Sequence, residues 1–143
     1  MTKADLELID VLKSVHLFEG LPDETLGAIA AQMKKFDFAA GTLAVEEGTT
    51  GKFGRMYVIL SGTADAVVHD ETIASLQPGD HFGEMCMLDG GPRSATVVAT
   101  GDLSTMGMSS WTMRSMLKEY PDLAVHVIEV LAARLRAANE RSL

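Results

Sequence analysis

Apolar residues recur at helical spacing near both ends of the chain and at shorter, alternating spacing between them. Leu6, Leu8, Ile9, Val11 and Leu12 fall on one side of a helix over residues 5–14. Leu17-Phe18 is an apolar plug ahead of a turn at Gly20. A second helix opens at Leu21-Pro22-Asp23-Glu24, with proline at its start and acids in its first turn, and runs to about Met33. Strand signals follow at Lys35–Ala39, Thr42–Glu46, Arg55–Ser61, Thr63–His69, Thr72–Leu76, Ser94–Thr100 and Leu103–Ser109. They are short, often rich in Val, Ile and Thr, and punctuated by Gly or Asp. Tyr57–Leu60 is apolar on both parities, so that strand is expected to be covered on both faces. Trp111–Glu119 reads as a helix behind the cap candidates Ser109-Ser110. Pro121 breaks it and starts a last helix that runs to about Asn139, with Leu123, Val127, Val130, Leu131 and Leu135 at helical spacing.

This order predicts an α+β, mainly β fold: an antiparallel β-roll, a jelly-roll-like barrel, flanked by N-terminal and C-terminal helices. The length of 143 residues suits a single domain. Its expected parts are N-terminal helices over 1–34, the roll over 35–109 and C-terminal helices over 110–143. Hydrophobic residues make up 47% of the chain, enough to fill one core, yet no apolar run reaches the length of a membrane span. The N-terminus, MTKADLELID, is acidic and amphipathic and does not read as a signal peptide, so a cytoplasmic location is the expectation. The one cysteine, Cys86, excludes an internal disulfide and reads as a small core residue, not a catalytic thiol. A net charge of −8 argues against direct contact with nucleic acid, which needs a basic face. It does not argue against one small anion in a pocket set by a single arginine.

The candidate chemistry is concentrated in Phe82–Thr96, FGEMCMLDGGPRSAT. An acid, Glu84, and a base, Arg93, stand nine residues apart with a short apolar run and two glycines between them. Arg93 offers a planar fork of donors suited to two phosphate oxygens. Gly83 lets a ligand approach the backbone at the start of a turn of helix over Met85–Leu88. Ser94 can give a hydroxyl and a backbone N–H to the same anion, and Ala95 keeps the wall thin. Glu84, if ionised, only accepts, so it suits a hydroxyl and not a phosphate. A blander reading has Glu84 and Arg93 paired with each other across a hairpin.

The stretch closely resembles the phosphate-binding cassette of the cyclic nucleotide-binding domain, the domain of cAMP-dependent protein kinase regulatory subunits, cyclic nucleotide-gated channels and bacterial catabolite activator proteins. LFEGLPDETL before the roll, MYVILSG at Met56–Gly62 and LQPGDHFGE entering the cassette carry the resemblance over essentially the whole chain. It implies that Glu84 takes the ribose 2′-hydroxyl and that Gly83, Arg93, Ser94 and Ala95 bind the cyclic phosphate. Met85 and Cys86 stand with them as ligand-binding candidates. At the base end it points by position to Ala66 and Ile73 as apolar walls and to Arg134 and Asn139 as polar contacts from the last helix, although Ala138 stands where relatives often carry a hydroxyl. The implied function is non-enzymatic. A regulatory domain binds a cyclic nucleotide reversibly, orders its cassette, moves its last helix and so biases an effector protein, a fused domain or a second copy of the chain. Ser94 does not decide the base; cAMP is preferred, with cGMP as the alternative.

Two departures matter. The loop Gly48–Gly54 is about two residues longer than usual. It carries Lys52 where relatives can have an acid that braces the cassette arginine, so the brace on Arg93 is either lost or comes from another carboxylate. The chain also stops at Leu143 with no helix-turn-helix, where catabolite-activator relatives continue into a dimer interface and a DNA-binding domain. Two other functions compete. One is a module of the same fold that has lost its ligand. The other is a metal-dependent cupin enzyme, for which His81 and Glu84 lie three apart. A catalytic metal site needs about three protein ligands. His16, His69 and His126 are scattered with no His-x-His pair, so no metal is expected.

Overall fold

A computed structural model describes residues 2–50 and 54–140. Helix α1 spans Lys3–Lys13 and begins with a capping box, in which the Thr2 hydroxyl accepts from the Asp5 N–H and the Asp5 carboxylate accepts from the Thr2 N–H. Leu17 and Phe18, the plug, are fully buried in a 3₁₀ turn over His16–Phe18. Helix α2 is Asp23–Gln32, with Pro22 capping it and two acids in the first turn. Eight strands follow, interrupted by one short helix. They are β1 (Lys34–Phe38), β2 (Leu43–Val45), β3 (Met56–Ser61), β4 (Ala64–Val68), β5 (Glu71–Leu76), β6 (His81–Phe82), then α3 (Glu84–Asp89), β7 (Thr96–Ala99) and β8 (Leu103–Met108). Helix α4 (Ser110–Glu119) is capped by the Ser109 hydroxyl, and α5 (Pro121–Asn139) starts on its proline.

The strands form two antiparallel four-stranded sheets, ordered β1-β8-β3-β6 and β2-β7-β4-β5. They make the expected roll; among the described residues it is not a closed barrel, because each sheet keeps its own edges. The strand missed by sequence pattern is β6. Two residues are too short to show any periodicity.

Strand β3 divides the molecule. Met56 and Val58 point into a helical core with Leu12, Phe18, Leu26, Ile29, Met87, Met113 and Leu123. Tyr57 and Ile59 point the other way, into the roll interior with Phe82, Val97, Ala99 and Leu103. The doubly apolar Tyr57–Leu60 therefore has the predicted two-sided cover, except at its last residue. Leu60 is 38% exposed because the β3–β8 register slips between Ile59 and Ser61, which leaves it in a bulge. In α1 the structure buries Leu8, Ile9 and Leu12 but leaves Leu6 exposed. In α5 it buries Leu123 and Val127, half-buries Val130 and Leu131, and leaves Leu135 exposed with Val125 and Ile128.

The adjacent pair Ile59 and Leu60 tests this partition. Ile59→Ala should cost about 2–5 kcal/mol by opening a cavity in the roll. Leu60→Ala should stay within about 0.5 kcal/mol. Urea denaturation of the two variants measures both; comparable losses would mean the roll interior is not where β3 buries its second face.

Candidate functional site

The cassette is built by a sharp change of direction. Strand β6 pairs with β3 through Phe82 and Tyr57, and the chain then turns at Gly83, whose φ is +87°. Only a residue without a Cβ turns there cheaply. Helix α3 follows at once and closes at Gly90, whose N–H reaches the Cys86 carbonyl at 2.7 Å, while the Asp89 carboxylate accepts from the Gly91 N–H at 2.7 Å. The segment after it is stitched to the loop that follows β2. The Arg93 N–H donates to the Thr49 carbonyl at 3.0 Å and the Arg93 carbonyl accepts from the Gly48 N–H at 2.9 Å. The Thr96 hydroxyl accepts from the Glu47 N–H at 2.9 Å.

Arg93 is the decisive side chain. It is only 8% exposed, and its Nη1 donates to the Arg55 backbone carbonyl at 2.7 Å. No described carboxylate lies within ion-pair distance of it. Of the two alternatives, the described residues supply no carboxylate brace, and a neutral carbonyl takes its place, while Lys52 lies outside the described residues. Space for this side chain comes from Gly83. A Cβ there would stand 2.5 Å from Arg93 Nη1 and 2.6 Å from the Arg55 carbonyl oxygen.

Glu84 does not pair with Arg93, so the simple cross-hairpin ion pair is not formed. Its carboxylate instead lies 3.7 Å from Arg134 Nη1 on α5 and 3.9 Å from His81 Nε2. Glu84 and Arg93 line one cavity of about 150 Å³ together with Gly83, Met85, Cys86, Ser94 and Ala95. All seven cassette candidates are thus brought to one place. Val45, Phe82, Pro92 and Val97 complete the wall. Sequence reasoning did not single these four out, because apolar wall residues look like ordinary core. Nor did it find Arg55, whose contribution is a backbone carbonyl and leaves no trace in side-chain type.

The base-end candidates are spread more widely. Arg134 reaches the site through Glu84. Ala66 is buried on β4 opposite Val97, a wall residue, but does not itself line the cavity. Ile73 is exposed on β5 where the β4–β5 register slips, and Asn139 is exposed at the end of α5; neither lines the cavity. Among the described residues no group of three His, Cys, Asp or Glu side chains could hold a metal ion, so the His81–Glu84 pair has no third ligand.

The sequence matches the cyclic nucleotide-binding domain family over residues 35–120, more than half of the chain. The chain belongs to that family. It is 27% identical over 135 residues to a CRP-like cAMP-activated global transcriptional regulator of Mycobacterium tuberculosis, covering 91% of this chain and 59% of that protein. It is 32% identical over 112 residues to a cAMP-dependent protein kinase regulatory subunit of Candida albicans, covering 78% of this chain and 24% of that one. The N-terminal domain of a Streptomyces coelicolor transcriptional regulator has a similar structure, with a TM-score of 0.84 and 28% identity over 94% of this chain and 96% of that one. The chain therefore spans well under two thirds of these two full-length relatives.

Gly83→Ala separates backbone strain from loss of the arginine's seat. At Gly79 the φ is +93° and a Cβ would meet nothing within 4 Å. Gly79→Ala should therefore cost only the left-handed strain, about 1–2 kcal/mol. Gly83→Ala should cost at least about 1 kcal/mol more, because Arg93 or the Arg55 backbone must move as well. Thermal denaturation compares them; equal costs would show that Arg93 does not depend on the missing Cβ.

Proposed function

We propose that this chain is a regulatory domain that binds a 3′,5′-cyclic nucleotide reversibly, cAMP ahead of cGMP. One observation carries the reading: a buried arginine with no carboxylate partner among the described residues, seated over a glycine in a cavity that also holds a carboxylate. A buried charge needs a partner, and a cyclic phosphate is an anion of the right size and fork geometry. In this reading Arg93 takes two phosphate oxygens, with Gly83, Ser94 and Ala95 completing the phosphate site and Met85 and Cys86 its wall. Glu84 accepts from the ribose 2′-hydroxyl. The relatives' names, a cAMP-activated regulator and a cAMP-dependent kinase regulatory subunit, favour cAMP.

Arg134 takes a different part from the purine contact suggested by position. Its 3.7 Å contact with Glu84 ties α5 to the ribose end of the cavity, so a ligand hydroxyl arriving at Glu84 acts on the last helix directly. In this reading Ala66 and Ile73, on β4 and β5, and Asn139, on α5, remain the candidates for the base end. The exposed Val125, Ile128 and Leu135 lie on the face of α5 turned from its buried Leu123 and Val127, where an effector, a fused domain or a second copy would read that movement.

Calorimetric titration with cAMP and cGMP tests the reading. Arg93→Ala should weaken cAMP by roughly two to four decades, the equivalent of about 3–5 kcal/mol for stripping one partner from a buried charge pair. Arg93→Lys should also bind less well, since a point charge cannot reproduce the fork. An alanine variant within about threefold of wild type would remove Arg93 from the phosphate site.

Glu84 has its own test. A hydrogen bond to a charged acceptor is worth about 1.5–3 kcal/mol, so 2′-deoxy-cAMP should bind at least about tenfold more weakly than cAMP. In Glu84→Ala that preference should largely vanish. Equal binding of both nucleotides by the wild type would place Glu84 elsewhere than on the 2′-hydroxyl.

A further inference from the structure

A second cleft, of about 270 Å³, opens where β1, β3 and β8 meet the start of α4. Its described lining includes Lys34, Phe36, Arg55, Gly107 and Trp111, and no carboxylate. In a chain of net charge −8, two cations converge there with no acidic residue among the described residues of the wall. Lys34 is exposed and makes no ion pair among the described residues. The Arg55 guanidinium lies 4.7 Å over the Phe36 ring, which fixes its position beside an aromatic floor. Trp111, the single tryptophan, is 76% exposed at the cleft's edge. An indole left this far in water has a large face to offer a ring, and tryptophan gains most when it is covered. At the α4 terminus the Ser109 hydroxyl already accepts from the Thr112 N–H at 3.1 Å.

We propose that this cleft is a second binding site, for a small planar aromatic anion. The ring stacks on Trp111, and the negative group lies between Lys34 and Arg55. The site is separate from the cassette cavity but backs onto it. Phe36 meets Tyr57 edge-on at 5.7 Å, Tyr57 stacks on Phe82 at 5.1 Å, and Phe82 lines the cassette cavity. Arg55 links the two: it lines the cleft, and its carbonyl accepts from Arg93, whose side chain lines the cassette cavity.

The test is an NMR titration of the whole chain with naphthalene-1-carboxylate, without cyclic nucleotide. The readouts are the Trp111 indole N–H and the backbone amides of Lys34, Phe36, Arg55 and Gly107. These signals should shift together with a Kd near or below about 1 mM, ordinary for a ligand of this size. The neutral naphthalene-1-carboxamide should bind at least about tenfold more weakly, because the two cations then have no charge to meet. Lys34→Ala and Trp111→Ala, both at exposed positions, should each weaken the acid at least about threefold with the rest of the spectrum unchanged. Arg93→Ala should keep the cleft shifts, so failure of the cyclic nucleotide reading and failure of this one are told apart. Shifts centred on Gly83–Ala95, no shift up to about 10 mM, or a carboxamide binding as well as the acid would each overturn the proposal.

Discussion

A guanidinium removed from water and given, among the described residues, a neutral carbonyl and no carboxylate is the constraint on which the rest of the site depends. The effective cost of burying one ion is several kcal/mol, and a single hydrogen bond to a carbonyl does not offset it. The fold must therefore hold Arg93 in place by other means. It does so by backbone. Thr49 and Gly48 clamp its peptide on both sides, Gly83 leaves room for its Nη1, and the Arg55 carbonyl fixes the fork's direction. Such a charge is preorganised for an anion, because little has to move when the anion arrives.

That arrangement traces back to β3. The strand can present Arg55 at its entrance because its next four residues are buried on both faces and leave it no freedom. Met56 and Val58 bind it to the helices, while Tyr57 and Ile59 bind it to the roll. The same alternation stacks Tyr57 on Phe82, so the residue before Gly83 is fixed by an aromatic contact at 5.1 Å as well as by the ladder. The cassette turn therefore starts from the most constrained part of the molecule, and its ligand-facing geometry follows from packing decided elsewhere.

How much of this was legible in the sequence varies with the kind of interaction. Helices α1, α2, α4 and α5 were readable because caps and prolines mark their ends and an apolar stripe marks their course. The cassette side chains were readable because their chemistry lies in residue type and spacing: Gly83, Glu84, Arg93, Ser94 and Ala95 all meet in one cavity. The brace on Arg93 was not, because carbonyls are the same in every residue. Nor was the Glu84–Arg134 contact, which joins positions fifty apart on elements whose relative placement no local pattern sets. Leu60 was misjudged for a related reason. Alternation says which way a side chain points in a regular ladder, and the β3–β8 slip makes the ladder irregular there.

The attachment of α5 is uneven, and that unevenness bears on what the helix can do. Its first half is anchored by Leu123 and Val127 in the helical core, and Val130 and Leu131 pack against the edge of that core. Beyond Leu131, one tie to the cassette is the Arg134–Glu84 ion pair, whose side chains are 33% and 21% exposed. A pair at 3.7 Å with that access to solvent contributes at most about 1 kcal/mol, screened further by salt. An interaction of that size can be rearranged by one new hydrogen bond at Glu84, whereas the apolar anchor cannot. In the proposed reading, motion on binding should therefore pivot near Leu131 and leave the helix's first three turns in place. In the proposed reading the contact that gives way involves the same carboxylate that accepts the ligand's hydroxyl, so recognition and movement would be served by one residue.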